Sequence, residues 1–161
     1  MAVPRILFTR FTDSASPKLV PLAQHRARIL GRGVQQRSRV QTEDRLAVVW
    51  QLVSGNNREL ARSADIFDDF ADALVSATEL VELVAEHGEA QQVSDEKAGV
   101  YGWYLNLLGH PAALCPRWYR AERERRQAIE LALAALPKAD IARGARQYVD
   151  ARSAGSRYEM I

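Results

Sequence analysis

The chain has 161 residues, and its 47% hydrophobic and 26% charged residues are ordinary values for one soluble domain. No stretch approaches the roughly 20 apolar residues of a membrane-spanning helix, so we expect no membrane association. A single cysteine and three scattered histidines exclude a disulfide within the monomer and predict neither a metal site nor a bound cofactor. The N-terminal segment lacks the order of regions that a secretory signal needs, which favours the cytoplasm.

Charge is distributed unevenly along the chain. Residues 1–40 carry eight basic side chains and one acid, whereas residues 41–161 carry 14 basic and 19 acidic ones. Ten acids and no bases lie between Arg62 and Lys97. A basic block follows within ten residues, formed by Arg117, Arg120, Arg123, Arg125 and Arg126. Such asymmetry favours charged partners but does not determine a fold.

Residues 1–33 form a basic N-terminal segment with signals for a strand and a helix. Arg5 to Phe11 fits a short strand, and Ser16-Pro17 predicts the start of a helix that ends near Gly31. Pro21 weakens this helix because it removes a backbone donor. The alternative is a loosely ordered basic arm.

A β-hairpin followed by a helix is predicted from Leu46 onward. A β-branched and aromatic run, a Ser-Gly-Asn-Asn turn and a second run predict two strands, with Trp50 and Leu52 on one face. Apolar residues at spacings of three and four then predict a helix from about Asp68 to Glu86. Asp68 or Asp69 can cap its amino end.

The same order of elements recurs further along the chain. Val100 to Leu107 and a Leu-Gly-His-Pro turn predict a second hairpin, and a helix follows from about Arg120 to Leu136. Trp103 lies 53 positions after Trp50, and beyond the turn the offset is 52, so Ser63 corresponds to Cys115. Candidate first strands precede the two hairpins at 34–40 and 89–95.

Two tandem strand-strand(-strand)-helix repeats, at 34–88 and 89–137, are therefore predicted. Because a hairpin alone is marginal, each unit needs the other to cover its apolar face or its sheet edge. We expect an α+β fold in which the repeats form one two-layer, pseudo-two-fold domain anchored by Trp50 and Trp103. In the C-terminal tail, residues 138–161, the spacing of Ile141, Ala145 and Tyr148 predicts a short helix.

The repeated pattern is Trp-x-Leu, a turn, Ala-x-Ser or Ala-x-Cys, an aromatic residue and a helix. Its signature residues are Trp50, Leu52, Ala61 and Phe67 in the first copy, and Trp103, Leu105, Ala113 and Tyr119 in the second. This pattern resembles the YegP-like family of small bacterial and archaeal domains of unknown function. The resemblance implies a three-stranded sheet with a helix in each copy and pairing of the copies, and it implies no accepted active site.

No catalytic constellation is evident in the sequence. Asp68-Asp69 is interpreted as a helix cap, and no glycine-rich phosphate loop is present. Cys115 is interpreted as a small buried side chain, and the alternative is a thiol activated by the adjoining Arg117. We therefore predict no catalytic, metal-binding or cofactor-binding residues and no enzymatic activity.

The arginine block from Arg117 to Arg126 is the candidate contact for an anion or a nucleic acid, with Trp118 and Tyr119 beside it. The alternative is that these arginines face solvent or the acidic helix predicted in the first repeat, from about Asp68 to Glu86. We predict a non-enzymatic binding or protein-interaction module that binds a protein partner or self-associates. The alternative function is a nucleic-acid-binding accessory protein that uses the arginine block and the N-terminal arm.

Overall fold

The computed structural model describes residues 3–12, 16–31, 47–149 and 157–160. The strands are β1 (Arg5–Phe11), β2 (Ala47–Val53), β3 (Glu59–Ser63), β4 (Gly88–Asp95), β5 (Val100–Leu107), β6 (His110–Leu114), β7 (Asp140–Val149) and β8 (Arg157–Met160). The helices are α1 (Leu19–Leu30), α2 (Phe70–His87) and α3 (Glu122–Ala135), and a short 3-10 turn, Leu136–Lys138, follows α3.

All eight described strands belong to one sheet, in the order β4-β5-β6-β3-β2-β1-β7-β8. Neighbouring strands are antiparallel except β1 and β7, which run parallel. The α+β class is thus confirmed, as are both hairpins, the strand at 89–95 and the helix that follows each hairpin.

The two hairpins meet at the middle of the sheet, where β3 pairs with β6. Arg62 lies opposite Leu114 in this pair, and the sequence offset of 52 makes these two residues equivalent to each other. A pseudo-two-fold axis therefore passes through the Arg62–Leu114 pair. It relates β2, β3 and α2 to β5, β6 and α3.

Equivalent backbone contacts recur on both sides of this axis. Val48 and Phe67 exchange two hydrogen bonds of 2.8 Å, and Tyr101 and Tyr119 exchange two of the same length. Each pair holds the segment that leads into a helix against the strand that carries the tryptophan. The aromatic residue at this position is thereby part of the sheet in both units.

The main core lies between the sheet and the helices α2 and α3. Trp50 and Trp103 are fully buried there, as predicted for the anchors of the two units. Asp69 caps α2, because its carboxylate accepts a hydrogen bond of 2.8 Å from the Asp72 amide. This confirms one of the two caps that the sequence offered.

Helix α1 packs on the opposite face of the sheet, so the N-terminal segment adds a third layer. A Cβ atom on Gly102 would lie 2.6 Å from the Ile29 side chain, which shows how closely α1 approaches β5.

The strand at 5–11 and the helix ending at Gly31 are confirmed. The alternative of a loosely ordered arm is wrong for these elements. Pro21 is tolerated because it falls in the first helical turn, where no intrahelical donor is needed.

Two sequence predictions need correction or fall outside the described residues. The tail forms a strand over Asp140–Val149 instead of a helix, because pairing with the free edge of β1 outweighs the helical spacing. The predicted strand at 34–40 lies outside the described residues, and β1 occupies the place beside β2. The division into units at 34–88 and 89–137 stays a prediction.

None of the described helices is long and apolar enough to cross a membrane.

Candidate anion-binding site

A cavity of about 310 Å³ lies between α1 and the sheet. Its lining is drawn from α1 and four central strands, from β7, and from the segment after β3. Its walls are Thr9, Phe11, Lys18, Leu22, Arg26, Val49, Trp50, Gln51, Arg62, Ser63, Ala64, Ile66, Leu114 and Arg146. The size falls at the lower end of the range for small-molecule sites.

Strand alternation positions the polar wall of the cavity. Thr9 lies opposite Arg146 in the β1–β7 pair, and Gln51 lies opposite Arg62 in the β2–β3 pair. Successive side chains of a strand point to opposite faces, so these four are directed away from Trp50 and its core. They point towards α1, which supplies Arg26, and Lys18 lies at the N-cap of this helix.

Four cationic side chains line the cavity, namely Lys18, Arg26, Arg62 and Arg146, and its described lining includes no acidic residue. The acids that balance two of these cations stand outside the lining. Glu59 pairs with Arg62 at 3.1 Å, and Asp65 pairs with Arg26 at 3.5 Å. Once these two acids are counted, Lys18 and Arg146 leave an excess of two positive charges around the cavity.

Two of the arginines are held in place by the protein. The Arg26 Nε donates to the Ala64 carbonyl at 2.6 Å, which fixes its guanidinium at the end of β3. The Glu59 carboxylate orients Arg62 and also accepts a hydrogen bond of 3.0 Å from the side-chain amide of Gln51. The buried Nε of Arg62 has no hydrogen-bond partner among the described residues.

One end of the cavity is apolar. Phe11 and Tyr148 pack with their ring centroids 5.3 Å apart and, with Leu19 and Ala47, form a second hydrophobic cluster separate from the main core. Leu22, Val49 and Ile66 pack against that cluster and also line the cavity, as Phe11 does. The cavity thus offers cationic groups beside an apolar wall.

His25 of α1 contacts Cys115, which follows β6, and both residues lie outside the cavity lining. The His25 Nε2 donates a hydrogen bond of 2.8 Å to the Cys115 carbonyl. Burial lowers the pKa of His25, and the nearby Arg62 and Arg28 act in the same direction. Burial raises the pKa of the Cys115 thiol to about 11. These values favour a neutral imidazole and an unreactive thiol, which supports the structural interpretation of Cys115.

The arginine block predicted as an anion contact divides into two groups. Arg117, Arg120, Arg123 and Arg126 are exposed. Arg125 is only 4% exposed, and its guanidinium donates to the Val93 carbonyl, the Ser94 hydroxyl and the Gln92 side chain. These donors hold β4 against α3, so the structure gives Arg125 a packing role, and its predicted contact with an anion stays a prediction.

The aromatic residues beside the block are engaged in packing. Trp118 is partly buried and lies under Arg28, whose guanidinium carbon is 4.8 Å from the ring centroid. Tyr119 is 6% exposed and paired with β5. Neither ring is presented as a platform on which a base could stack.

Sequence reasoning did not single out the cationic residues of the cavity. They come from the N-cap and body of α1, from β3 and from β7, and no local spacing links Arg26, Arg62 and Arg146. The available signal was the polar pair Gln51 and Arg62 within a hairpin otherwise rich in apolar residues. Among the described residues no group of three His, Cys, Asp or Glu side chains could hold a metal ion.

The fold resembles a solved structure. The solution NMR structure of yegP from E. coli, a protein of unknown function, is similar with a TM-score of 0.52 at 12% identity. The similarity covers 92% of this chain and 95% of that one. The YegP-like resemblance is thus confirmed for the fold. No protein-family model and no curated protein sequence matches the chain.

Proposed function

We propose that the protein is a non-catalytic binding module that takes a small organic anion with an apolar body in the cavity under α1. The observation that carries this proposal is the lining, in which four cations and a set of apolar side chains face one space without an acidic residue among them. Cationic donors provide charge-assisted hydrogen bonds, which are about twice as strong as neutral ones. The apolar wall favours a ligand with a hydrocarbon or aromatic part.

The composition of the lining also favours binding over catalysis. Arginine does not lose its proton in proteins, and no carboxylate, imidazole or thiol is part of the described lining. The Ser63 hydroxyl is occupied, because it donates to the Asp65 carbonyl and accepts from the Trp50 amide. The lining therefore offers positive charge and shape, and it lacks the imidazole and carboxylate that most often serve as general bases.

Fluorescence titration of the full chain with anilinonaphthalene sulfonate, an anion with an aromatic body, tests the proposal. We expect one saturable site per chain and about tenfold weaker binding by Arg62→Gln, which corresponds to 1.4 kcal/mol. Arg146→Gln should weaken binding less, because its side chain is exposed. Arg126→Gln removes an exposed arginine outside the cavity and serves as the control. Equal affinity of Arg62→Gln and the control would refute the proposal.

Nucleic-acid binding is the second candidate, and the four exposed arginines of the block favour it. A phosphate contact predicts that the logarithm of affinity falls with the logarithm of salt concentration, by about 0.7 per contact on a single strand. Fluorescence anisotropy with a labelled oligonucleotide tests this at low and high salt. No binding at low salt would remove this candidate.

Self-association stays a prediction that the sheet edges support. β4 has a described neighbour only in β5, so its other edge is open in the described part of the chain. Such edges can pair with another strand. Light scattering of the full chain over a range of concentrations measures the molar mass directly, and a constant monomer mass would exclude this prediction.

A further inference from the structure

A second groove lies on the α2 and α3 side of the sheet, where the first unit meets the second. On one side, the turn before β3 supplies Arg58, and the start of β3 supplies Glu59 and Leu60. The opposite side is formed by the segment after β6 and by one face of α3, namely Pro116, Arg117, Tyr119, Glu124, Gln127, Ala128 and Leu131. The groove is open and encloses about 760 Å³.

The pseudo-two-fold axis gives this groove an equivalent in the other half of the molecule. With the offset of 52, Arg58 corresponds to His110 and Arg117 corresponds to Asp65. His110 and Asp65 line the equivalent space, together with Ser76 and Glu79 of α2. Ser76 and Glu79 in turn correspond to Ala128 and Leu131.

The two grooves differ in the charges that face each other across the units. His110 Nε2 lies 3.0 Å from an Asp65 carboxylate oxygen, and the space that these residues line measures only about 80 Å³. In the open groove both equivalent residues are arginines, and both are exposed. Two cations cannot close the groove by pairing with each other, so an anion supplied from outside would complete the arrangement.

The Arg58 backbone and the Arg117 guanidinium are each held in place by contacts within the chain. The Arg58 amide donates to the Ser54 hydroxyl at 3.1 Å, and the Arg58 carbonyl accepts from the Ser54 amide at 2.8 Å. The Arg117 guanidinium lies over the Tyr119 ring, with its carbon 5.3 Å from the centroid. Their backbones and one guanidinium are therefore positioned before any ligand arrives, which reduces the entropy lost on binding.

The remaining lining favours an acidic peptide over a nucleic acid. Leu60, Ala128 and Leu131 provide an apolar floor, and Leu131 is 49% exposed although it is a large hydrophobic residue. Glu59 also lines the groove but is paired with Arg62, so Glu124 is the acid there that would repel a continuous phosphate backbone. Separate carboxylates with apolar side chains between them fit this pattern of charge.

We propose that this groove binds an acidic, partly apolar peptide segment of a partner protein, with Arg58 and Arg117 pairing with its carboxylates. This site is separate from the cavity under α1 and does not depend on the function proposed for it. Affinity comes from charge-assisted hydrogen bonds to the arginines and from burial of apolar side chains against Leu131.

Fluorescence anisotropy with a labelled octapeptide of alternating Glu and Leu tests the site on the full chain. We expect saturable binding, about tenfold weaker binding by Arg117→Gln and by Arg58→Gln, and unchanged binding by the control Arg123→Gln. Arg117→Asp recreates the charge of Asp65 in the equivalent groove. It should pair with Arg58 and abolish binding, while circular dichroism shows the fold unchanged.

Four outcomes would overturn the proposal. The first two are that the Glu and Leu peptide does not bind, or that a matched Gln and Leu peptide binds equally well. The third is that Arg117→Asp binds the Glu and Leu peptide with the affinity of the parent protein. The fourth is that an oligothymidylate of eight nucleotides binds more tightly than the Glu and Leu peptide. If anilinonaphthalene sulfonate did not bind in the cavity under α1 while the Glu and Leu peptide did bind in the groove, only the proposed function would be refuted.

Discussion

The backbone amide of Trp103 donates a hydrogen bond to the Cys115 sulfur, at 3.4 Å. In the first unit the Trp50 amide donates to the Ser63 hydroxyl at 3.2 Å, and Ser63 is the residue equivalent to Cys115. Both acceptors are buried. The two units therefore satisfy the same buried donor with different side chains, and this sets the role of the single cysteine.

Cys115→Ser should keep the fold, because a hydroxyl already accepts this hydrogen bond in the first unit. We expect Cys115→Ala to lower the free energy of unfolding by about 1–3 kcal/mol, because the Trp103 amide would stay buried without an acceptor. Urea unfolding of the two variants measures the difference. If Cys115→Ala were as stable as Cys115→Ser, the hydrogen bond would carry no weight.

The two indole N–H groups differ in their hydrogen bonding. Trp50 Nε1 donates to the Ser76 hydroxyl at 3.4 Å, whereas the buried Trp103 Nε1 has only the Tyr119 hydroxyl nearby among the described residues, in a geometry poorer than that of an ordinary hydrogen bond. The residue equivalent to Ser76 is Ala128. We expect Ala128→Ser to raise the free energy of unfolding by about 0.5–1.5 kcal/mol. Ala134→Ser, on the exposed side of the same helix, is the control for helix propensity, and a gain of equal size there would contradict the explanation.

Arg125 stabilises the edge of the sheet. Its guanidinium makes three hydrogen bonds to β4 and lies over the Tyr101 ring. Arg125→Met should lower the free energy of unfolding by about 1.5–3 kcal/mol and speed hydrogen exchange in β4. Arg126→Met changes an exposed neighbour and should stay within about 0.5 kcal/mol of the parent. Unchanged exchange in β4 after Arg125→Met would show that the contacts are dispensable.

Acid should loosen the packing of α1 through His25. Its pKa in the folded protein is lowered below the ordinary 6.5 by burial, so the folded state binds this proton less readily than the unfolded state. The stability that depends on neutral His25 is present above pH 6.5 and is lost as pH falls through the lowered pKa. We expect His25→Gln to lose less stability than the parent between pH 7.5 and pH 5. His87→Gln, at an exposed position, should behave as the parent does, and so would His25→Gln if the account were wrong.

The local part of the fold could be predicted from the sequence, but the cavity could not. The hairpins and helices follow from short-range spacing, and the duplicated Trp50 and Trp103 identify the core. β7 was missed because its partner, β1, lies more than a hundred residues away, as in the pairing of Phe8 with Ala145. The cationic lining was missed for the same reason, since Arg26 and Arg146 come to line one cavity only when β7 has joined the sheet.

The binding of an anion under α1 is tested most directly by nuclear magnetic resonance of the isotopically labelled full chain during titration with anilinonaphthalene sulfonate. We predict saturable shifts of the backbone amides of Thr9, Gln51 and Ile66, which surround the cavity, and no shift at Leu131 in the separate groove. Shifts confined to the Leu131 region, or no saturable shifts at all, would contradict the assignment of the cavity as the binding site.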